Sequence, residues 1–395
     1  MGVLAPNGND LGSFWDSICE GRSGIDKISR FDTSGLSCRI AGEVKGFNPE
    51  AYIDPSLKPE KRMGRATQYA IACARMALQD AGLQPDDLKG SEPVPIILGV
   101  STSAMDIIEQ PPRPWTPIAT CPHSVTSSIA YTMGVQARLW TISDGCTSGM
   151  DAVRVGMMEI NSGVCDVVIA GASDSAITRY TLEAFAMSKK LSCNNESPAA
   201  ACRPFDLSRD GAVLSEGAGV VILENLIHAR ARGREPYCEV VGCGMQADPP
   251  NSEEASGLES AMRHAIANAR CSPSDIDYIN AHAPGDPEID RMESRLIQRV
   301  FGYSALRTPV SSIKGSIGNP MAASSIHQFI ASSMIMRKQT ITPTVNLDTP
   351  DPECALDHVI GGACSTPLRT ILVNSHGFGR GNNSMVLKRV DPGDQ

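Results

Sequence analysis

Short apolar runs alternate along this chain with amphipathic segments long enough for helices, and near residue 232 the alternation starts afresh. In the first part, residues 95–100, 139–143, 167–170 and 220–223 read as strands. Uninterrupted apolar runs such as Val167-Val168-Ile169-Ala170 suit strands buried on both faces. Residues 65–81 read as a helix, with Tyr69, Ala70, Ala72, Cys73, Met76 and Leu78 on one broad face and Gly82 as its stop. Residues 147–161 read as another, with Met150, Val153, Met157 and Ile160 inward. A short helix is expected over 11–20 and a strand over 39–44.

The second part offers strands at 239–241 and 276–279, helices at 258–269, 288–301 and 324–337, and a strand pair at 371–373 and 384–387. No low-complexity linker separates the parts. The expectation is therefore an α/β body of two similar halves, residues 1–230 and 231–395. At the start, Met1-Gly2-Val3 runs straight into the turn-like Ala5-Pro6-Asn7-Gly8. That leaves room for a very short edge element or points to a chain start placed late.

Composition narrows the function classes. A net charge of −9 argues against a general nucleic-acid binder, and an acidic partner would need a local basic patch. The 13 cysteines are scattered without a CxxC pair, so no zinc site is expected, and many free thiols fit a reducing cytosol. No apolar run approaches the ~20 residues of a membrane span.

Asp144-Gly145-Cys146-Thr147-Ser148-Gly149 joins a strand to a helix. A cysteine there meets unpaired backbone N–H groups and the positive end of the helix dipole, which favour a thiolate nucleophile. Gly145 and Gly149 permit a tight turn and the close approach of a substrate. On the motif alone, a buried structural thiol fits equally well. His282 follows the strand-like Tyr278-Ile279-Asn280-Ala281, where a loop histidine satisfied by backbone bonds is the plainer reading. Asn319 lies in the Gly-punctuated Ser311–Pro320 loop and by itself reads as a turn residue. Ser375-His376-Gly377-Phe378-Gly379-Arg380-Gly381-Asn382 is glycine-rich but lacks the strand–GxGxxG–helix order of a dinucleotide site, and suits a mobile wall better.

Together these segments resemble the β-ketoacyl-carrier-protein synthase II family, including ketosynthase subunits of type II polyketide systems. The likeness runs through nearly the whole chain. It includes Gly21-Arg22-Ser23-Gly24-Ile25, Ala41-Gly42-Glu43-Val44 and the block Arg203-Pro204-Phe205-Asp206, Arg209-Asp210-Gly211, Glu216-Gly217-Ala218-Gly219. The resemblance implies a thiolase fold, a duplicated αβαβα five-layer architecture, dimerising through edge strands. It puts the acyl-accepting cysteine at Cys146 and the first catalytic histidine at His282. The lysine of the site falls at Lys314, and Glu293 is the acid expected to pair with it. Phe378 falls on the gating phenylalanine, beside Gly377. It implies a basic carrier-protein dock at Lys58, Lys61, Arg62 and Arg65. No metal or other cofactor is implied.

This chain departs from that pattern at identifiable places. Asn319 stands where the second histidine is usual, Pro284-Gly285-Asp286 replaces a Thr-Ser-Thr stretch, His376 takes an aromatic position, and Arg380 a glycine. A Cys/His/Asn set remains chemically sufficient, because neutral imidazole and amide N–H groups both donate to a developing enolate. The resemblance thus implies a cytoplasmic condensing enzyme. It would take acyl and malonyl thioesters from an acyl carrier protein and work as a homodimer, or as a heterodimer with a chain-length-factor-like subunit. The rival readings are an acyltransferase that does not decarboxylate and a chain-length-factor-like subunit, against which Cys146 speaks. A degradative thiolase is disfavoured, because the second cysteine of that family has no counterpart here near Gly377-Phe378-Gly379.

Overall fold

The computed structural model describes residues 1–89, 92–102, 104–250 and 256–390. Two mixed sheets carry the body. The first contains β1 (Gly2–Leu4), β2 (Val94–Gly99), β3 (Ala137–Ile142), β4 (Val167–Ser175) and β5 (Glu216–Glu224), in the spatial order β1-β5-β4-β2-β3. The second contains β6 (Glu239–Ala247), β7 (Tyr278–Asn280), β8 (Pro309–Ser311), β9 (Asp357–His358), β10 (Thr370–His376) and β11 (Gly381–Lys388). Its order is β6-β11-β10-β7-β8-β9.

Pairing directions match step by step. β1–β5 and β5–β4 are antiparallel while β4–β2 and β2–β3 are parallel. Likewise β6–β11 and β11–β10 are antiparallel while β10–β7 and β7–β8 are parallel. One plan is used twice, with β9 added at an edge.

The helices that matter are α1 (Arg65–Ala81), α2 (His123–Met133), α3 (Ser148–Asn161), α4 (Arg179–Met187), α5 (Ser256–Asn268), α6 (Pro287–Phe301) and α7 (Ala323–Lys338). Because successive strand side chains point to opposite faces, each strand feeds two apolar layers. Ile96 and Leu98 join the cluster of α1 and α2, whereas Ile97 joins that of α3 and α7. In the second sheet Ile371 and Val373 face α3 and α7, whereas Leu372 and Val386 face α5 and α6. The order of layers is α1/α2, first sheet, α3/α7, second sheet, α5/α6. The site forms around the central helix layer.

Every residue of α7 from Ala323 to Met336 is buried, including Ser324, Ser325, His327, Gln328, Ser332 and Ser333. Such polar groups need partners inside the body. Ser325 Oγ accepts from Met150 N at 3.1 Å, and His327 Nε2–H donates to the Leu4 and Ala218 carbonyls. α3 meets α7 closely at Gly149, where a Cβ would stand 2.8 Å from Ile326. Gly149 therefore serves helix packing, and the expectation that it admits substrate does not hold.

Gly2–Leu4 forms the very short edge element. The strand expected over 39–44 shrinks to Ile40–Ala41, paired with Asp26–Lys27.

Candidate active site

β3 ends at Ile142, and the chain turns at Gly145, whose φ of +65° favours glycine. Residues Gly145–Thr147 make one 3₁₀ turn that runs into α3. Asp144 N donates to Ser148 Oγ at 2.8 Å, and that hydroxyl donates to Gly145 O at 2.7 Å, which fixes the entry angle. Cys146 is thus delivered to a helix start as the sequence suggested, yet it is only 2 % exposed. Burial pushes its thiol above the usual range. The Phe378 N–H, the Asn319 amide and the Lys314 charge pull it back without cancelling the rise. Burial therefore opposes the thiolate that a helix start favours.

β7 delivers His282 into the same space. Its N–H and that of Ala283 both donate to the Glu293 carboxylate, at 2.9 and 2.8 Å, from α6. Lys314 Nζ donates to His282 O at 3.2 Å and to Gln328 Oε1 at 2.8 Å. Lys314 and Glu293 do not form the direct ion pair that was expected. They hold opposite edges of the His282 peptides, acid on the N–H side and ammonium on the C=O side. Burial, then the Lys314 charge, holds His282 well below the usual histidine range, so its ring is neutral. Burial also brings Lys314 down to about 8, against the pull of Cys146 and Glu293, and raises Glu293.

Asn319 places Nδ2 3.7 Å from Cys146 Sγ, while its Oδ1 and His282 Nδ1 are buried without protein partners. Buried polar atoms without partners call for an explanation, and these two lie in the space around the Cys146 sulfur. The Gly377–Arg380 hairpin closes the other side. Gly377 N donates to Gly381 O at 2.7 Å, Arg380 N to Gly377 O at 3.0 Å, and Asp248 N to Arg380 O at 2.9 Å. A Cβ on Gly377 would stand 3.1 Å from Asp144 O and 3.6 Å from Cys146 N, so the glycine lets the hairpin close tightly on the Cys146 turn. The Phe378 side chain is 60 % exposed and packs on Phe185 of α4, with ring centroids 5.4 Å apart.

Lys61 and Arg62 lie in the short helix Pro59–Arg62, with Lys58 just before it, and all three are exposed. Arg65 differs. Its guanidinium donates to Tyr69 Oη at 2.5 Å and lies 3.7 Å from the buried Glu216 carboxylate, which also binds Arg30. Arg65 thus engages the interior at its guanidinium while its side chain stays 34 % exposed. Lys61, Arg65, Arg30, Asp106, Arg113 and Trp115 border a cavity of about 520 Å³.

Sequence reading missed Gln328, Asn374 and Phe185. Gln328 Nε2 donates to Ala281 O and Asn374 O, and Asn374 Nδ2 reaches Glu293 Oε1 at 3.3 Å. A glutamine inside a fully buried helix is a signal that was available. Among the described residues no group of three His, Cys, Asp or Glu side chains is arranged to hold a metal ion. Among them also, no helix is long and apolar enough to cross a membrane.

Comparison with known proteins places this arrangement. Residues 1–229 match the family model "Beta-ketoacyl synthase, N-terminal domain" and residues 237–348 match "Beta-ketoacyl synthase, C-terminal domain". The putative polyketide beta-ketoacyl synthase 1 of Streptomyces cyaneus is 37 % identical, covering 98 % of this chain and 96 % of the relative. The 3-oxoacyl-[acyl-carrier-protein] synthase 2 of Staphylococcus aureus strain N315 is 34 % identical, covering 99 % and 97 %. Among solved structures, the ishigamide ketosynthase/chain length factor superposes with a TM-score of 0.90 at 30 % identity, covering 99 % of this chain and 98 % of that one. A type II PKS acyl-carrier protein in complex with its ketosynthase gives 0.88 at 30 % identity, with the same coverage.

Proposed function

The chain belongs to the beta-ketoacyl synthase family, with the thiolase fold and the activity of a condensing enzyme, and from that premise we propose how its own residues divide the reaction. Cys146 accepts the acyl group from a thioester on an acyl carrier protein. The Cys146 and Phe378 N–H groups hold the oxyanion of that transfer. A malonyl-type thioester then enters, and neutral His282 with Asn319 donates to its carbonyl as carbon dioxide leaves and the enolate forms. The enolate carbon attacks the acyl-cysteine, releasing the sulfur of Cys146 and a β-ketoacyl thioester. Lys314 and Glu293 act through the His282 peptides, fixing the ring's position and adding positive potential behind it.

The observation that carries this reading is the convergence on one buried sulfur of Asn319 Nδ2, at 3.7 Å, and the Phe378 N–H. The nucleophile comes from residues 1–230 and the groups that meet the donor from residues 231–395. Lys58, Lys61 and Arg62 form the basic dock for an acidic carrier protein in the cytoplasm. A second subunit pairs along β3, whose Leu139 and Trp140 stand 46 % and 48 % exposed on an open sheet edge. The same chain makes a homodimer, and a chain-length-factor-like subunit would use the same edge.

Intact-mass analysis after incubation with acyl carrier protein, alongside release of labelled carbon dioxide from a malonyl donor, tests the reading. Wild type should gain one acyl mass and release carbon dioxide, and Cys146→Ala should gain none. An adduct of equal yield on Cys146→Ala would sink the nucleophile. Acylation without any carbon dioxide would make the protein a non-decarboxylating acyltransferase.

A further inference from the structure

Ser375 of β10 and Asn383 of β11 stand directly opposite each other in the antiparallel pair, three residues before Phe378 and five after it. Opposed residues of paired strands point to the same face. This face looks onto α3 and α7, because Ile371, Val373, Met385 and Leu387, spaced by twos along the same strands, pack into that layer. Both polar side chains reach the helix that carries the nucleophile. Ser375 Oγ donates to Cys146 O at 3.3 Å, and Asn383 Nδ2 donates to Asp151 Oδ1 at 2.6 Å. Cys146 lies in the turn that enters α3 and Asp151 in the first turn of the helix itself. One rung of the hairpin thus grips the start of α3 at two points.

The Asn383 bond is the stronger hold. Asp151 and Asn383 are both buried, and a short bond to a carboxylate away from water is roughly twice as strong as one between neutral groups. Asn383 Oδ1 has no partner, so the bond to Asp151 is what holds that side chain. An acid in the first turn of a helix is ordinarily explained by the helix dipole, which asks only for charge near the terminus. Here the carboxylate is out of water and is met by a side chain of the second sheet. That sheet also carries the hairpin tip. Gly377 N donates to Gly381 O at 2.7 Å, which closes the tip as one unit, and the Phe378 N–H within it reaches the Cys146 sulfur. Displacing β11 from α3 would displace that N–H from Cys146.

We propose, on the condensing-enzyme reading above, that Asp151 and Asn383 are positioning residues that set the gap between the Phe378 N–H and Cys146, and with it the oxyanion contact of acyl transfer. Neither residue touches substrate. The two N–H groups assigned to the oxyanion come from different copies of the fold, one from the Cys146 turn and one from the hairpin. No local backbone geometry fixes their separation, and the rung does so from one copy to the other.

Two reactions of the same sulfur test this. Acylation by a small thioester passes through an oxyanion, whereas alkylation by iodoacetamide displaces iodide at carbon and forms none. Both rates are read at the Cys146 peptide by mass mapping at pH 8. Burial brings the Asp151 carboxyl up to about 6, so it is ionised there. Asn383→Leu removes the donor at similar volume. Acylation should fall about ten- to a hundredfold, part of what one oxyanion donor supplies, while alkylation stays within about threefold. In the double variant Asp151→Asn/Asn383→Asp the bond returns with its roles reversed, and acylation should recover to within about threefold of wild type. Unchanged acylation in Asn383→Leu overturns the proposal. So does an equal loss in both reactions, which would make the rung a support of the helix alone, and so does a swapped pair no better than Asn383→Leu. Wild type that takes no acyl group on Cys146 would instead remove the condensing reading, and the proposal with it.

Discussion

Replacing Asn319 by alanine separates the two half-reactions. The backbone of Asn319 is anchored independently of its side chain, since its N donates to Val213 O at 2.8 Å and its O accepts from Ser215 N at 3.1 Å. Its Oδ1 has no protein partner, and its Nδ2 makes only the long 3.7 Å contact with Cys146 Sγ. Truncation therefore breaks no strong bond, and stability should change by less than ~1 kcal/mol. Losing a weak donor to sulfur should slow acylation of Cys146 by a factor of about three or less. Losing a donor to the enolate is costlier, because in a dry site one such donor is worth roughly 10²–10³ in rate. Intact-mass kinetics read the first step and labelled carbon dioxide the second. Asn319→His, which restores a donor of similar reach, should recover most of the second rate. Equal losses in both steps, or an unchanged decarboxylation rate in Asn319→Ala, would refute the reasoning.

Reversing Lys61 and Arg62 to Glu should slow loading from the carrier protein at low salt and spare loading from a small thioester; equal effects on both donors would rule out the dock. Burial brings the Lys314 ammonium down to about 8, so decarboxylation should fall as pH rises through about 8; Lys314→Met should abolish this dependence along with most of the rate. Arg380 holds φ of +72°, a conformation that favours glycine. Arg380→Gly should raise stability by about 0.5–1 kcal/mol, visible as a higher melting temperature.

Legibility in the sequence followed the physical reach of each signal. The strand pair over 371–373 and 384–387 and the helix at 65–81 were readable because doubly buried strands and amphipathic helices write their environment into local periodicity. α2 was not anticipated: His123-Ser124-Val125-Thr126-Ser127-Ser128 carries β-branched and hydroxyl residues, Pro122 makes no side-chain cap, and burial against α1 and β3 supplies the order. Cys146 was legible from a glycine-flanked turn between strand and helix. Its electrostatic setting was not, because the groups that act on the sulfur, Asn319, Lys314 and Phe378, lie more than a hundred positions away in the sequence. The split of Lys314 and Glu293 across the His282 peptides was hidden for a similar reason. The resemblance supplied both residues but no backbone atoms for them to hold.

The repeated strand order has a consequence for how such an enzyme can change its chemistry. On the roles proposed above, the sulfur that takes the acyl chain hangs from the first copy of the plan, and the groups that meet the incoming donor hang from the second. Pro284 to Asp286, Asn319, His376 and Arg380, the places where this chain leaves the pattern it resembles, all belong to the second copy. The two copies meet at the sulfur itself, because the Phe378 amide of the second reaches Cys146 of the first. A new extender can be fitted by rebuilding Pro284 to Asp286 or Asn319 while the Cys146 turn and the Phe378 amide stay as they were.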